Sequence, residues 1–188
     1  MPAIARRRQR GAQTNLSLHG AQLLFTRKQT IGNRMIAQCP RTQPMDDSKL
    51  LAFMRSHRWA IEATSTLSGA PQAAIIGIAV TNELEIVFDT LSSSRKAANL
   101  RANPRIALVV GGWDDLDART VQYEGEIDFP AEPELSHLKQ IYFSTFSDGP
   151  TRDAWPGTTY VRVSPLWIRL SDFTVDPPAI SERFFTKK

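Results

Sequence analysis

Thr90-Leu91-Ser92-Ser93-Ser94-Arg95-Lys96-Ala97-Ala98-Asn99-Leu100-Arg101-Ala102-Asn103-Pro104 joins a serine cluster to a short helix-forming run. Asn103-Pro104 stops that run, because the residue before a proline is pushed out of the α region. Serine ahead of it is N-cap chemistry, gathering hydroxyls and free backbone N–H groups where the helix dipole is positive. Such an end attracts anions. Arg95 and Lys96 fall in the first turn, where the dipole disfavours cations unless an anion pairs with them. The stretch reads either as a phosphate site or as a surface helix with Arg95, Lys96 and Arg101 solvated.

Upstream, Asp46-Asp47-Ser48 caps a helix carrying Leu50, Leu51, Phe53 and Met54 at a spacing that allows one apolar face. Trp59, Ile61 and Ala63 alternate with Ala60, Glu62 and Thr64, which predicts a strand with one face inward. Ser68-Gly69-Ala70-Pro71 is turn chemistry, and Ala73 to Val80 predicts a second, more buried strand paired in a hairpin. Thr81-Asn82 then leads into a strand from Glu83 to Asp89.

Downstream, Ile106 to Val110 predicts a buried strand, Gly111-Gly112 breaks it, and Asp114 to Asp117 is loop. From Thr120 to Phe129, Val121, Tyr123, Gly125 and Ile127 alternate with polar partners. Pro133 opens a helix with Leu135, Leu138, Ile141 and Tyr142 on one face, and Ser147 to Pro150 is a loop. Tyr160 to Val163 and Leu166 to Leu170, divided by Ser164-Pro165, are the last strands. Short strands with hairpin links predict a mainly β chain with α elements, an antiparallel β-barrel with short interposed helices.

The chain has 188 residues and a formal net charge of +4, unevenly placed. Eight of its 23 basic residues and none of its 19 acidic ones precede Met45, so the remainder carries 15 basic residues and a net charge of −4. An acidic body argues against a domain built to grip nucleic acid. The organisation expected is a basic extension over 1–44, disordered or non-native, a domain over 45–176 and a loose C-terminal tail over 177–188. Met45-Asp46-Asp47-Ser48 has the look of a chain start, and a transit peptide or nucleic-acid arm around Arg6-Arg7-Arg8-Gln9-Arg10 is the other reading of the extension. No apolar run reaches membrane-spanning length, so no membrane partner is expected. Cys39 is the one cysteine and His19, His57 and His137 are scattered. No disulfide and no metal site are expected, and a reducing cytoplasm fits.

The order of parts resembles the pyridoxamine 5′-phosphate oxidase-like flavoproteins from about Asp46 to Phe173. Phe88-Asp89-Thr90-Leu91-Ser92-Ser93-Ser94-Arg95-Lys96 is similar to that family's strand, threonine and Ser-Arg-Lys phosphate clamp, followed by Asn103-Pro104 and a strand. Arg119-Thr120-Val121-Gln122-Tyr123-Glu124-Gly125 and Tyr160-Val161-Arg162-Val163-Ser164-Pro165 match in place and kind. The resemblance implies a split β-barrel that binds FMN at a homodimer interface. Arg95 and Lys96 would pair with the FMN phosphate, helped by Ser94 and Thr90. The backbone of Ala74, Ile75, Ile76 and Gly77 would line the isoalloxazine, and Thr120 would make a polar contact to the ring.

The resemblance implies an FMN-dependent oxidoreductase acting on a small substrate, with Trp113, Tyr142, Phe146, Arg152 and Trp155 as substrate-side candidates and no catalytic residue assigned. Core and lid packing is the competing reading for those aromatic residues. A flavin-binding stress, sensor or carrier protein is the alternative, as is a deazaflavin- or heme-binding relative. Departures tell against the vitamin B6 reaction itself. Ala73 to Val80 carries no basic residue, Ser171-Asp172 stands where an aromatic residue is expected, and Ala179 to Phe185 lacks the family's Arg-Leu-His-type segment.

Overall fold

Residues 41–112 and 117–186 are described by a computed structural model. In chain order they form β1 (Arg41–Thr42), α1 (Asp47–Ser56), β2 (Trp59–Ser65), β3 (Pro71–Gly77), β4 (Ala79–Val80), β5 (Ile86–Leu91) and α2 (Arg95–Ala102). There follow β6 (Arg105–Gly111), β7 (Arg119–Asp128), α3 (Glu134–Thr145), α4 (Gly149–Asp153), β8 (Thr158–Asp172) and β9 (Ala179–Phe184). The expectations for residues 1–40, for Trp113 and for residues 114–116 lie outside the described residues. Among the described residues no helix is long and apolar enough to cross a membrane.

The sheet runs β1-β9-β8-β7-β6-β2-β3, antiparallel except for the two-residue β1–β9 pair. β7 lines one edge of β8 from Asp128↔Arg162 to Arg119↔Asp172. The other edge of β8 is shared: β5 takes Thr158 to Val163, and β9 takes Trp167 to Asp172. That division curls the sheet and leaves it split, so the fold is the expected antiparallel split barrel. β4 continues the curl by pairing with β5.

Several expectations change in the structure, and the strand expected from Glu83 to Asp89 runs from Ile86 to Leu91. Ser164-Pro165 does not divide two strands: β8 is continuous, and Pro165 sits opposite Gly125 where the β7–β8 register shifts. A bulge is a place where a strand tolerates proline's missing N–H. Ala73 to Val80 is not one strand, because the chain leaves β2 after Gly77 to pair Ala79-Val80 with β5. Gly149–Asp153 is a short helix within the expected loop region. Residues 179–184, expected in a loose tail, form β9, and Arg41–Thr42 ahead of the expected domain start pairs with it.

The inward face of β2 carries Ala60, Glu62 and Thr64, while Trp59, Ile61 and Ala63 face out. The apolar set is matched on its neighbours, with Ile61 opposite Ile75 and Val109, and Ala63 opposite Ala73 and Ala107. Residues directly opposite share a face, so an apolar surface covers the outside of β3-β2-β6. Expected as wholly buried, β6 turns only Ile106, Leu108 and Val110 inward among its first six residues.

The barrel interior is filled by α1's Leu50, Phe53 and Met54, by Ile76, Ile78, Ile86, Phe88, Leu108, Val121, Val161 and Ile168, and by Tyr123. Leu138, Tyr142 and Phe146 of α3 form a second cluster with Ala79, Val87 and Tyr160. Gly125 is fixed by close approach, since a Cβ there would lie 2.5 Å from Val163 Cγ1 and 2.8 Å from Ser164 O. The buried Tyr123 hydroxyl donates to Val163 O at 2.9 Å, with Leu84 O at 3.1 Å as second acceptor. Leu84 holds a left-handed backbone, φ 64°, so this bond also secures a strained turn. Tyr123→Phe is expected to cost about 1–3 kcal/mol, read as a lower urea midpoint at unchanged m.

Candidate functional site

Residues 90–96 fold as a strand end, a turn and a helix start. Ser94 caps α2, accepting from Ala97 N at 3.2 Å, and its hydroxyl lies 3.1 Å from Thr90 Oγ1. Ser94 N donates to Leu91 O, Ser92 N donates to Gly157 O, and the Arg101 guanidinium donates to Ser92 O. Gly157 has φ 82°, and a Cβ there would lie 3.1 Å from Ser92 Oγ. The loop is therefore tied from both sides. The first turn of α2 holds no acid, and the exposed Arg95 pairs with no carboxylate among the described residues. Hydroxyls, an uncompensated cation and a positive helix end form a donor set suited to a phosphate.

Lys96 lies differently from Arg95. Its side chain is 13% exposed, and its Nζ is 3.5 Å from Oε1 of Glu62, which is completely buried on the inner face of β2. Neither Glu62 oxygen takes a hydrogen bond among the described residues. Burial pushes this carboxyl above its usual range, and the Lys96 ammonium pulls it back only in part. One turn further on, Asn99 Nδ2 donates to Thr64 Oγ1 and Gln72 Oε1, both at 3.2 Å. α2 is thus pinned to β2 and β3 by polar side chains.

Among the described residues β3 pairs on one side only, with β2, so the main-chain groups of its other edge are outside the ladder. Of the four residues expected to line a ring there, Ala74 is half-buried opposite Glu62, Ile75 faces out and Ile76 faces the core. Gly77 lies beneath Phe146, whose Cζ would be 2.7 Å from a Cβ. Arg58 stacks over the same ring at 4.7 Å, and Trp59 meets it edge-on at 5.9 Å. Since Ala74 faces Glu62 and Gln72 meets Asn99, the edge of β3 begins beside α2 and runs to the Phe146 cluster.

Thr90, Ser94, Arg95 and Lys96 come together with this edge. Thr120 does not. It pairs with Ser171 whereas Thr90 pairs with Thr159, twelve residues away along β8, or about 40 Å of strand.

Asp89, beside Thr90, organises the region where substrate-side residues were expected. Its Oδ1 accepts from the Tyr142 hydroxyl at 2.9 Å and its Oδ2 from Arg152 Nε at 2.9 Å. Arg152 Nη2 also donates to the Tyr142 oxygen at 3.0 Å, and Arg152 pairs with Asp148. Burial, then the Asp89 charge, pushes the Tyr142 hydroxyl well above the ordinary phenol value and keeps it a donor. Tyr142, Phe146 and Arg152 therefore brace α3 and α4 against β5, while Trp155 is exposed. His57 Nδ1 lies 2.9 Å from Phe53 O, and His137 is exposed on α3.

The family pattern described as pyridoxamine 5′-phosphate oxidase matches residues 47–172, from the start of α1 to the end of β8. The chain belongs to the pyridoxamine 5′-phosphate oxidase family. The pyridoxine/pyridoxamine 5′-phosphate oxidase of Rubrobacter xylanophilus is 34% identical over 93 residues, 50% of this chain and 40% of that protein. The match thus spans well under half of that curated relative. A heme binding protein from Mycobacterium smegmatis superposes with TM-score 0.65 at 14% identity, covering 76% of this chain and 59% of that one. A pyridoxamine 5′-phosphate oxidase-related, FMN binding protein from Nostoc punctiforme superposes with TM-score 0.56 at 13% identity, covering 74% and 94%. At these identities the two structures share the fold.

Within the family frame, Glu62, Asn99 and Asp89 are the polar residues that sequence patterning passed over. For Glu62 the signal was a charge at an inward strand position, legible only once the parity of β2 is known. Arg152→Met retains apolar contact with Tyr142 and Phe146 but removes the partner of a carboxylate only 19% exposed. The loss expected is about 2–3 kcal/mol, measured by urea unfolding, whereas Asp148→Asn changes little because Asp148 is largely solvated.

Proposed function

We propose that this chain is an FMN-binding flavoprotein, an FMN-dependent oxidoreductase acting on a small organic substrate. One observation carries the reading: Arg95, unpaired among the described residues, stands with Ser94 and Thr90 at an acid-free helix start beside the open edge of β3. The donor set fits a phosphate monoester, and the main-chain groups of Ala74 to Gly77 fit the polar rim of a flavin. Arg95 and the α2 N–H groups would hold the phosphate, Thr90 and Ser94 would orient it, and the β3 edge would fix the ring. When bound, the flavin supplies the redox chemistry. The protein's part is orientation and exclusion of water, with Phe146, Trp59 and Arg58 forming the apolar and cationic end of the cradle. The oxidase name of the Rubrobacter relative and the FMN of the Nostoc protein support this reading. Oxidation of a vitamin B6 phosphate is not part of it, given that Ala73 to Val80 carries no basic residue.

The working form proposed is a homodimer. Trp59, Ile61, Ile75 and Val109 are 53%, 40%, 71% and 37% exposed on one continuous face with Ala63, Ala73 and Ala107. A patch of this kind marks an association surface, and a two-fold partner meets it with the same residues. A second copy is also the simplest source of a Thr120 near the cradle.

Titration of the purified chain with FMN, followed by absorption and flavin fluorescence, is expected to show binding of the phosphorylated flavin in preference to riboflavin. Arg95→Ala should weaken FMN about ten- to a hundredfold and leave riboflavin unchanged. Equal affinity of wild type and variant for FMN would remove the phosphate cradle, and binding of heme in place of FMN would replace the cofactor. Bound flavin that no reductant bleaches would favour the sensor or carrier alternative. Ile75→Asp is expected to give a monomer by sedimentation at micromolar concentration, with FMN affinity lowered in parallel.

A further inference from the structure

The Glu62–Lys96 pair is loose by the standards of a buried ion pair. Its 3.5 Å separation exceeds the 2.7–2.9 Å or so of a charge-assisted hydrogen bond, and among the described residues no other donor reaches the carboxylate. Buried pairs offset their desolvation only when further hydrogen bonds complete them. The groups around Glu62 offer none: its cross-strand neighbours are Ala74 and Leu108, and Thr64, Gln72 and Asn99 are neutral and bonded to one another. Lys96 is the one charged group acting on it among the described residues. Lys96 itself sits in the first turn of α2 on a flexible four-carbon stem, next to Arg95 and two residues from the capping serine. A phosphate at this helix end is the stronger partner for the ammonium, since it brings two charges and meets other donors already in place.

We propose that Glu62 is a working part of the phosphate site: ligand phosphate draws the Lys96 ammonium out of the barrel wall, and Glu62, left without a counter-charge, takes up a proton from solvent. This rests on the flavin phosphate reading given above. The exchange balances, with one proton gained by the Glu62 carboxylate for each phosphate bound and no covalent bond changed. The carboxyl is already raised by burial with Lys96 opposing, so withdrawing Lys96 leaves only the raising influence. By linkage, a ligand whose binding takes up a proton binds more weakly as pH rises, by up to about tenfold per unit.

The test uses the full chain, FMN and riboflavin between pH 7 and 9, above the second ionisation of a phosphate monoester at about 6. Affinities come from flavin fluorescence, and proton uptake from calorimetry in two buffers of different ionisation enthalpy. Wild type is expected to take up close to one proton with FMN and none with riboflavin, and to lose FMN affinity as pH rises. Glu62→Gln should bind FMN more tightly at pH 8, without proton uptake and without the slope. Should that variant fail to fold, Lys96→Met serves: it should bind FMN more weakly and take up no proton. FMN binding by wild type with no proton uptake, or an unchanged slope in either variant, overturns the role of Glu62 and leaves the cradle standing. No FMN binding at all overturns both.

Discussion

The pairing of β5 with the first half of β8 is the constraint on which the remainder depends. It leaves the second half of that edge to β9, which keeps the barrel split, and it carries β5 to Leu91 at the rim. From there the chain has one short turn before Ser94 caps α2. The site begins where this ladder stops. Asp89 and Thr90, the two rungs before its last, serve opposite sides: Asp89 faces Arg152 and Tyr142, while Thr90 faces the helix cap. Packing of α3 and geometry of the turn into α2 are therefore fixed by neighbouring residues of one strand.

The parity of β2 is the second organising choice. Facing Glu62 into the barrel costs desolvation, yet it places Ile61 and Trp59 outside, in line with Ile75 and Val109. A single register slip would exchange the two faces. The inward polar set is small and tied to α2 through Lys96 and Asn99, so the strand's polarity holds the helix rather than meeting solvent. The exposed apolar face and the anchor for the helix come from the same alternation.

What the sequence discloses is local. The caps of α1 and α2, the stop at Asn103-Pro104 and the alternation of β7 are written in consecutive residues, because capping and pleating act over a few positions. The cluster of Thr90, Ser94, Arg95 and Lys96 was legible for the same reason. The inward turn of Lys96 was not, since its partner lies on a strand 34 residues earlier in the chain. The parity of β2 was hidden because its apolar residues follow the pattern of a core face while serving an outer one. Continuity of β8 through Pro165 depends on a bulge made with Gly125, and β9 exists because the free half of β8 accepts it. Each of these is settled by pairing across the sheet, which no short window contains.

The edge of β3 that is unpaired among the described residues bears on the life of the protein as it is made. An unpaired strand edge beside an exposed apolar face is a template for another strand. Pro71 blunts the first residue of this one, but Ala73 to Ile75 has no charge to repel an incoming chain. Newly made chains therefore pass through a period in which this edge is open to pairing with a wrong strand. Abundance in a crowded cell then depends on how quickly that edge is covered as well as on how firmly the barrel is folded.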